Sequence, residues 1–526
     1  MKKLPTVNIT AFVVGIIGWI ISFSSIFKTG VGWDSVFDLN AAKISLENTN
    51  TLDIYSYYDL IPITSEFYGT FIYKIADWLS IQVVNKSIFD DTSLLTNLYF
   101  IDITTWLVSL FSIIIVSLAL ITTFASSKYA FIFFGLISTL PIWVGMSQVN
   151  SKDIPVAAGL SILSAGFMVI FKKYKSLKAF TLGILLTSIG AGISLAVRPA
   201  SITLVLAFLS VNVVIYSLFN IRRDKLVNLI SRVVLIYLTT LLFSLIIMYF
   251  SNPVHINNLY PWVLDSVRTS LNYPSIQPIR VFGQDFLSNE LPPWYVFAWV
   301  WAQLPVLTFF SLTAGVILLT KCAVILKDLT GIYYISPFLI QAFLVPIILL
   351  FTQNNIYNGI RHLLFIYPAL MIIATIFLVH LVEKSNLKFF QIVSNSSVLL
   401  ILFLNVFATY RWIPYSYAYI NPVAGLGAQR NWDLDYWGLT SREGIQKLND
   451  IDLTKNVFVM PDASSSLPFG GRGITDLTSV GSPFGLYVFI HWNHKIIEDN
   501  CEIEFRIKRD NQILGMGGFC ASSNGN

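Results

Sequence analysis

Residues 9–38 read ITAFVVGIIGWIISFSSIFKTGVGWDSVFD, an apolar stretch that runs directly into two aspartates, Asp34 and Asp38. About 20 consecutive apolar residues are enough to cross a bilayer as a helix. A carboxylate at the mouth of a membrane helix is energetically costly, so it is usually paired, bound to a ligand or catalytic. The stretch therefore predicts a membrane protein with functional carboxylates at the end of its first helix.

The composition of the whole chain supports this interpretation. Of the 526 residues, 55% are hydrophobic and 12% are charged, whereas about 25% of the residues in a soluble protein are charged. The net charge of +5 is explained by Lys and Arg in cytoplasmic loops and requires no nucleic-acid partner. The sequence contains no Walker loop, no dinucleotide-binding glycine fingerprint and no HExxH zinc motif.

Apolar runs of membrane-spanning length recur along the chain and predict about eleven transmembrane helices. These runs lie near residues 9–28, 102–124, 129–147, 154–171, 179–197, 200–219, 230–250, 303–320, 333–352, 363–382 and 389–409. If the spans alternate, every short basic segment falls on one side, and that side is the cytoplasm. The basic segments include Lys2, Lys128, Lys172–Lys175, Arg222–Lys225, Lys321–Lys327 and Lys384–Lys388.

This topology predicts a cytoplasmic N-terminus and an all-α polytopic module at residues 1–409. Two long outer loops, 29–101 and 251–302, and the tail at 410–526 then lie on the extracytoplasmic side. The tail contains apolar bursts at 456–460 and 485–490, which read as strands between turns rich in Ser and Gly. We therefore expect a small extracytoplasmic C-terminal α/β domain.

A few ionisable side chains from distant spans fall at the same outer membrane level. They are Asp34, Asp38, Asp153, Arg198, Arg361 and His362. Carboxylates suit a divalent cation such as Mg²⁺ or Mn²⁺, with Asp153 as the candidate metal ligand and Asp38 as a ligand of substrate or metal. Arginines suit bidentate binding of phosphate. The set predicts a substrate with a phosphate leaving group.

Simpler interpretations of the same residues stay open at this stage. Asp34 and Asp38 are also explained as polar groups facing water at a helix end, and Arg198 as a side chain that reaches lipid headgroups. Asp153 precedes Pro155 by two residues, which suits a helix N-cap. The aromatic residues Trp294, Tyr295, Tyr436 and Trp437 are candidates for sugar or acceptor contacts, and equally for a membrane-interface belt.

Several of these segments resemble the C-type, polyprenyl-phosphate-sugar-dependent glycosyltransferases (GT-C fold). The closest group contains the protein O-mannosyltransferases and lipid A aminoarabinose transferases, glycosyltransferase family 39-like. The matching segments are Asn150–Pro155 (NSKDIP), Val197–Pro199 (VRP), Leu291–Tyr295 (LPPWY), Arg361–Pro368 (RHLLFIYP), Asn421–Gly425 (NPVAG) and Asp435–Glu443 (DYWGLTSRE). The family places an acidic pair after its first helix, where this chain has Asp34 followed by Ser35. The resemblance covers about residues 30–450.

The resemblance implies transfer of a sugar from a polyprenyl phosphate to an acceptor hydroxyl on the extracytoplasmic face, with inversion. In that scheme Asp34 is the catalytic base, and Arg198 and Arg361 bind the donor phosphate. His362 is, like the aromatic residues named above, a candidate acceptor or sugar contact, and a divalent cation near Asp153 is an optional helper. The acceptor is a glycan, a lipid or a protein.

From the sequence, two other functions stay open, as does the question of whether Cys501 and Cys520 form a disulfide. A surface-glycan polymerase or ligase and a transporter of lipid-linked saccharides both need many spans and an outer cavity. Cys501 and Cys520 both fall on the predicted outer side, where a disulfide forms readily, and two free thiols are the alternative. Cys322 falls on the predicted cytoplasmic side.

Overall fold

The computed structural model describes residues 7–32, 34–47, 67–90, 93–222, 224–273, 276–324, 329–352, 355–384, 387–426, 431–451, 457–460, 469, 475–476, 486–490 and 501–520. Helices up to the last predicted span are α1 Val7–Ile26, α2 Ser35–Glu47, α3 Phe71–Val84, α4 Leu94–Phe124, α5 Ser127–Ser138, α6 Pro141–Ser147, α7 Asp153–Lys173, α8 Leu177–Val197, α9 Ile202–Asn220, α10 Leu226–Ser251, α11 Leu259–Leu271, α12 Tyr295–Gln303, α13 Val306–Val324, α14 Leu329–Leu349, α15 Ile366–Glu383 and α16 Lys388–Trp412. One-turn 3₁₀ helices lie at Pro199–Ser201 and Arg361–Leu363.

Within the described residues, ten helices are long and apolar enough to cross a membrane, and the count is eleven if one bent pair is a single span. That pair is α5 and α6, which meet at an angle of 69°. Pro141 opens α6, where proline is tolerated because the first turn lacks internal N–H partners. The prediction of a polytopic helical membrane protein is confirmed, and each predicted span matches a helix or this bent pair.

Helix α7 is the central helix of the bundle. Every residue from Asp153 to Phe171 is buried. Its tightest neighbour is α8, because the glycines let the two backbones approach closely: a Cβ on Gly190 would lie 2.3 Å from the carbonyl oxygen of Gly159. Small residues at a helix crossing are a common device in membranes, where packing replaces the hydrophobic effect. The N-terminus of α7 is therefore held firmly at one end of the bundle.

The two ends of the bundle carry different sets of ionisable side chains. At one end Lys128, at the start of α5, lies 3.1 Å from Glu383, at the end of α15. Arg232 of α10 lies 5.3 Å from the ring of Tyr174, which follows α7. The opposite end gathers the C-termini of α1 and α8 and the N-terminus of α7. The predicted basic residues Lys2, Arg223 and Lys327 lie outside the described residues.

The outer loops form short elements over that second end. α2 and α3 belong to the first loop, and the second loop contains α11 and an antiparallel hairpin of β1 (Pro278–Val281) and β2 (Gln284–Leu287). Residues 289–294 form turns and a bend, and helix α12 follows them. Helix α12 ends at Gln303, and α13 continues the chain into the predicted eighth span.

The C-terminal region begins by packing on the membrane helices. The Asn421 side-chain amide donates to the carbonyl oxygens of Trp301 (2.6 Å) and Leu304 (3.2 Å). After α17 (Ser441–Ile451) comes a five-stranded sheet. Its strands are β3 Val457–Met460, β4 Thr475–Asp476, β5 Leu486–Ile490, β6 Glu502–Arg509 and β7 Gln512–Cys520, in the order β4-β3-β5-β7-β6.

In this sheet β3 runs parallel to β4 and β5, whereas β5–β7 and β7–β6 are antiparallel. The two strands predicted at 456–460 and 485–490 are β3 and β5. A disulfide joins Cys501 to Cys520 across the β6–β7 hairpin, which decides between the two alternatives that the sequence left open. The small α/β domain at the end of the chain is thus confirmed.

Candidate active site

The ionisable residues singled out in the sequence converge at the second end of the bundle. Asp34 and Asp38 lie at the start of α2, Asp153 begins α7, Arg198 follows α8, and Arg361 lies just before α15. They belong to segments far apart in sequence, and the alternation of the spans brings them to one level. Together with Lys152 they form two ion-paired groups, and Arg361 is a separate cation.

Asp34 and Asp38 share a single ammonium group, that of Lys152. Lys152 Nζ lies 2.6 Å from Asp34 Oδ2 and 2.7 Å from Asp38 Oδ2. The four-residue spacing puts both carboxylates on the same face of the helical turn. Burial acts to lower the pKa of Lys152, but the two carboxylates outweigh it and raise that pKa well above the usual value. Lys152 belongs to the NSKDIP segment, where the sequence alone assigns it no role.

Asp153 pairs with Arg198 on the other side of the site. Asp153 Oδ1 lies 2.9 Å from Arg198 Nη1, and the aspartate is almost completely buried. Asn150 Oδ1 accepts hydrogen bonds from the backbone N–H groups of Lys152 (3.2 Å) and Asp153 (2.7 Å). The interpretation of Asp153 as the helix cap is therefore wrong, because Asn150 does this and the Asp153 carboxylate is left for Arg198.

Tyr68 separates the two ion-paired groups. Its ring lies 4.6 Å from Lys152 Nζ and its hydroxyl accepts a 3.1 Å hydrogen bond from Arg198 Nη2. The next residue, Gly69, donates to the carbonyl oxygen of Val197 at 2.8 Å. A Cβ on Gly69 would lie 1.9 Å from the oxygen of Ala196, so only glycine fits there. Sequence reasoning missed Tyr68, since nothing in the first loop marks where it returns to the membrane.

Arg361 is the cation without a carboxylate partner. It is 6% exposed, and no Asp or Glu of the described residues forms an ion pair with it. Its guanidinium lies 5.0 Å from the ring of Tyr357 and 5.4 Å from that of Trp437. Its Nε has no hydrogen-bond partner in the described part of the chain.

The pKa of Arg361 shows that it stays charged. Burial acts to lower this pKa, whereas Tyr357, Asp153 and Asp34 outweigh it and raise it above the ordinary value. Its neighbour His362 behaves in the opposite way. Burial, together with the positive charge of Arg361, lowers the pKa of His362 to about 3. His362 is therefore neutral at physiological pH and contributes a hydrogen-bonding group rather than a charge.

An open pocket of about 230 Å³ lies on the Arg198 side of Tyr68. Asp153, Arg198 and His362 line it, with a wall of hydroxyl groups from Ser201, Thr203, Ser266, Thr269, Ser270 and Tyr273. Ser201 Oγ is buried and has no hydrogen-bond partner among the described residues. Tyr273 and Tyr357 stack on each other at 5.2 Å at the same pocket. The lining combines these hydroxyl groups with apolar side chains such as Val156 and Phe365, and the volume suits one small hydroxylated molecule.

A separate groove of about 300 Å³ opens between α12, α13, α14 and α15. Its lining is almost entirely apolar and includes Phe297, Phe343 and Pro346. Ile366 and Leu370 of α15 also line it, shortly after Arg361 in the chain. Thus the hydroxyl-lined pocket and the apolar groove both lie near the short 3₁₀ segment that carries Arg361 and His362.

Two of the four predicted aromatic contacts are buried instead of facing a cavity. Tyr295 is 2% exposed and its hydroxyl donates to the Gly359 carbonyl oxygen at 2.9 Å. Trp437 is also 2% exposed and packs on Arg361. Trp294 is exposed but lies against the β1–β2 hairpin, 5.9 Å from Phe286. Tyr436 is partly exposed near Arg361 and Asp153. The sugar or acceptor contacts expected of these aromatic residues stay a prediction.

The expected divalent cation does not fit the arrangement around Asp153. The charged groups nearest this carboxylate are Arg198 and Arg361, both of which repel a cation. The other two carboxylates are held by Lys152. Among the described residues, no group of three His, Cys, Asp or Glu side chains is placed to hold a metal ion.

Comparison with known proteins gives the fold. No family model and no curated protein matches this sequence. The structure is similar to ArnT from Cupriavidus metallidurans in the apo state, with a TM-score of 0.51 and 12% identity over 96% of this chain and 97% of that chain. ArnT from the same organism bound to undecaprenyl phosphate matches at a TM-score of 0.51 and 11% identity over the same shares of the two chains.

A second kind of enzyme matches equally well. The apo oligosaccharyltransferase of Archaeoglobus fulgidus has a TM-score of 0.52 and 12% identity, over 88% of this chain and 64% of that one. At such low identities a likeness is evidence of shared architecture and not of shared substrates. The chain has the fold of the GT-C membrane glycosyltransferases.

Proposed function

We propose that this protein transfers a sugar from a polyprenyl phosphate to an acceptor hydroxyl on the extracytoplasmic side of the membrane. The observation that carries the proposal is Arg361, a buried guanidinium with no carboxylate partner among the described residues. Removing a charge from water costs several kcal/mol unless a counter-charge compensates. A bound anion supplies that counter-charge, and a lipid phosphate at the membrane surface is an anion of the right kind.

The donor phosphate then lies between Arg361 and Arg198. Arg361 is the principal ligand because its charge is not already neutralised by a neighbouring ion pair. Arg198 is the secondary ligand, since it is held by Asp153 at 2.9 Å. As the bond between sugar and phosphate breaks, negative charge grows on the departing phosphate, and fixed cations stabilise that charge. The neutral His362 adds a hydrogen-bonding group beside them.

Asp34 is the residue that we assign as general base. Its Oδ2 is held by Lys152, whereas its Oδ1 has no hydrogen-bond partner among the described residues. A base must lie within hydrogen-bond reach of the acceptor hydroxyl, and a free carboxylate oxygen meets that requirement. Attack from the Asp34 side on a sugar whose phosphate faces Arg361 inverts the anomeric carbon. Asp38 is more deeply buried and is the poorer candidate.

The two cavities suit the other parts of such a donor. The hydroxyl-lined pocket beside Arg198 accommodates the sugar ring, and the apolar groove along α15 accommodates the first part of the lipid chain. The similar ArnT structure contains undecaprenyl phosphate, which is a precedent for this ligand class on this architecture. The orientation of the chain, with this end outside the cytoplasm, follows from the basic residues at the other end.

The proposal is tested with the purified full-length protein in detergent. Undecaprenyl phosphate carrying a radiolabelled hexose serves as donor, and a cell-envelope fraction serves as acceptor. We expect label transfer that Asp34→Asn lowers about 100- to 10,000-fold, the usual range for loss of a general base. Arg268→Gln is the matched control, because Arg268 lies exposed on α11 and its ion-pair partner among the described residues is the nearby Asp265. Absence of both label transfer and undecaprenyl phosphate binding in the wild type would refute the proposed function.

A further inference from the structure

The ammonium group of Lys152 lies between two carboxylates in a nearly dry environment. Its side chain is 12% exposed, and those of Asp34 and Asp38 are 18% and 6% exposed. An ammonium has three N–H donors. Two of them point to Asp34 and Asp38, and Nζ also lies 4.6 Å from the Tyr68 ring. The bonding capacity of Lys152 is therefore taken up within the protein.

This arrangement separates Lys152 from the cations that we assign to phosphate. Arg361 has no carboxylate partner in the described part of the chain, whereas Lys152 has two. A donor phosphate that bound Lys152 would have to displace a carboxylate at 2.6 or 2.7 Å. Lys152 is thus better suited to act on Asp34 than on the substrate.

The backbone around Lys152 explains how its position is maintained. Lys152 immediately precedes α7, the buried central helix, and its N–H is bound by Asn150 Oδ1 at 3.2 Å. Ser151 Oγ lies 3.5 Å from the hydroxyl of Tyr73 on α3. The ammonium group is therefore fixed to the most rigid part of the bundle, while the two carboxylates belong to the first outer loop.

We propose that Lys152 is a positioning residue for Asp34, an inference that rests on the proposed function. Lys152 holds Asp34 Oδ2, so that Oδ1 is left to accept the proton of the acceptor hydroxyl. It also neutralises Asp38, whose charge would otherwise repel that of Asp34, since like charges at close range oppose each other. The proton passes from the acceptor hydroxyl to Asp34, the new glycosidic bond forms, and the phosphate leaves with the bonding electron pair.

The ionisable groups around the pair come from several elements. Tyr68 and Tyr73 come from the end of the first loop and α3, and Arg361 comes from the segment before α15. Of these, only Arg361 is positive, and it opposes the charge of Lys152. Without Lys152, therefore, none of the described residues would form an ion pair with Asp34. The repulsion between Asp34 and Asp38 would then turn the two carboxylates away from each other.

The test compares Lys152→Met, Lys152→Arg and the double variant Lys152→Met/Asp38→Asn in the labelled-hexose assay. Lys152→Met should lower kcat about 100-fold, at the lower end of the effect of losing a base. Its KM for the donor and its affinity for sugar-free undecaprenyl phosphate should stay within about twofold of wild type, because Lys152 does not contact phosphate. Lys152→Arg keeps the positive charge, so its kcat should be about tenfold higher than that of Lys152→Met.

The double variant is the decisive measurement. Removing the Asp38 charge relieves the repulsion on Asp34, so kcat should rise about tenfold above that of Lys152→Met. Lys74→Met is the control lysine, since Lys74 is on α3 and its ammonium donates to a backbone oxygen of Phe250. An unchanged kcat in Lys152→Met would overturn the inference, as would a tenfold loss of undecaprenyl phosphate affinity or a failure of both second variants to recover activity.

These results are distinguishable from failure of the proposed function. If the wild type neither binds undecaprenyl phosphate nor transfers the hexose, the proposed function is wrong. If the wild type does both and Lys152→Met behaves like Lys74→Met, the function stands and the role of Lys152 is wrong. A thermal unfolding curve for each variant identifies loss of folded protein.

Discussion

Replacement of Arg361 by glutamine tests the central electrostatic idea most directly. The substitution removes a guanidinium that is 6% exposed and has no described carboxylate partner. A hydrogen bond to a charged group contributes about 1.5–3 kcal/mol. Since about 1.4 kcal/mol corresponds to a tenfold change in Kd, we expect undecaprenyl phosphate to bind about 10- to 100-fold more weakly.

The comparison with Arg198→Gln makes this prediction specific. Arg198 is paired with Asp153, so its loss leaves a buried carboxylate without its partner. Breaking a buried pair on one side costs about 3–5 kcal/mol, and we expect about 2–3 kcal/mol here because Arg198 is one-fifth exposed. Arg198→Gln should therefore unfold at a clearly lower temperature, whereas Arg361→Gln should lose chiefly ligand affinity.

The assay is a titration of each detergent-purified variant with undecaprenyl phosphate, followed by intrinsic tryptophan fluorescence. Trp437, which packs 5.4 Å from the Arg361 guanidinium, provides a reporter close to the expected phosphate. Undecaprenol, which lacks the phosphate, measures the contribution of the lipid chain alone. Equal affinities of wild type and Arg361→Gln for undecaprenyl phosphate would refute the assignment of Arg361.

Three further predictions concern the base, a histidine and the disulfide. Asp34→Asn should lose transfer about 100- to 10,000-fold while binding undecaprenyl phosphate normally; a matching loss of binding would contradict its role as a base. His362 has a pKa of about 3 in the folded state against about 6.5 when unfolded, so the unfolded chain binds more protons between these values and stability falls as the pH drops below 6.5. His362→Gln should remove about 1 kcal/mol of that loss at pH 5.5, measured as the free energy of unfolding; a pH dependence identical to wild type would show that His362 is not buried in the neutral form. Cys501→Ser should destabilise the C-terminal sheet by about 3 kcal/mol, as expected for a loop closed over 19 residues, with undecaprenyl phosphate binding retained; unfolding of the helical part at the same lowered temperature would contradict this.

The membrane helices were predictable because their signal is local. Each span is long and apolar by itself, and the bilayer leaves few alternatives to a helix for such a segment. Because every short basic segment falls on one side when the spans alternate, the relative directions of the spans were predictable, and these directions bring Asp34, Asp153, Arg198 and Arg361 to one end. The bend between α5 and α6 was not predicted, since Pro141 is compatible with either a kink or the start of a new helix.

The partners within the site were less predictable because they depend on tertiary contacts. Lys152 stands beside Asp153 in the sequence, yet its side chain pairs with Asp34, 118 residues away. Tyr68 carries no local pattern that marks it as the residue between two cations. Tyr295 and Trp437 were expected to face a substrate because aromatic residues near a membrane surface often do, but the packing of α12 and of the segment before α17 buries them.

The end of the first helix depends on a residue that is synthesised very late. Arg442 Nη1 donates to the backbone oxygens of Phe27 (2.7 Å) and Thr29 (3.2 Å), and a Cβ on Gly30 would lie 2.0 Å from the oxygen of Leu439. The segment that carries Asp34 therefore makes these contacts only after the last span has entered the membrane. A nascent chain that has emerged only as far as α16 holds its acidic loop without this anchor. The acidic loop therefore gains this anchor only once the segment that carries Leu439 and Arg442 has followed the last span.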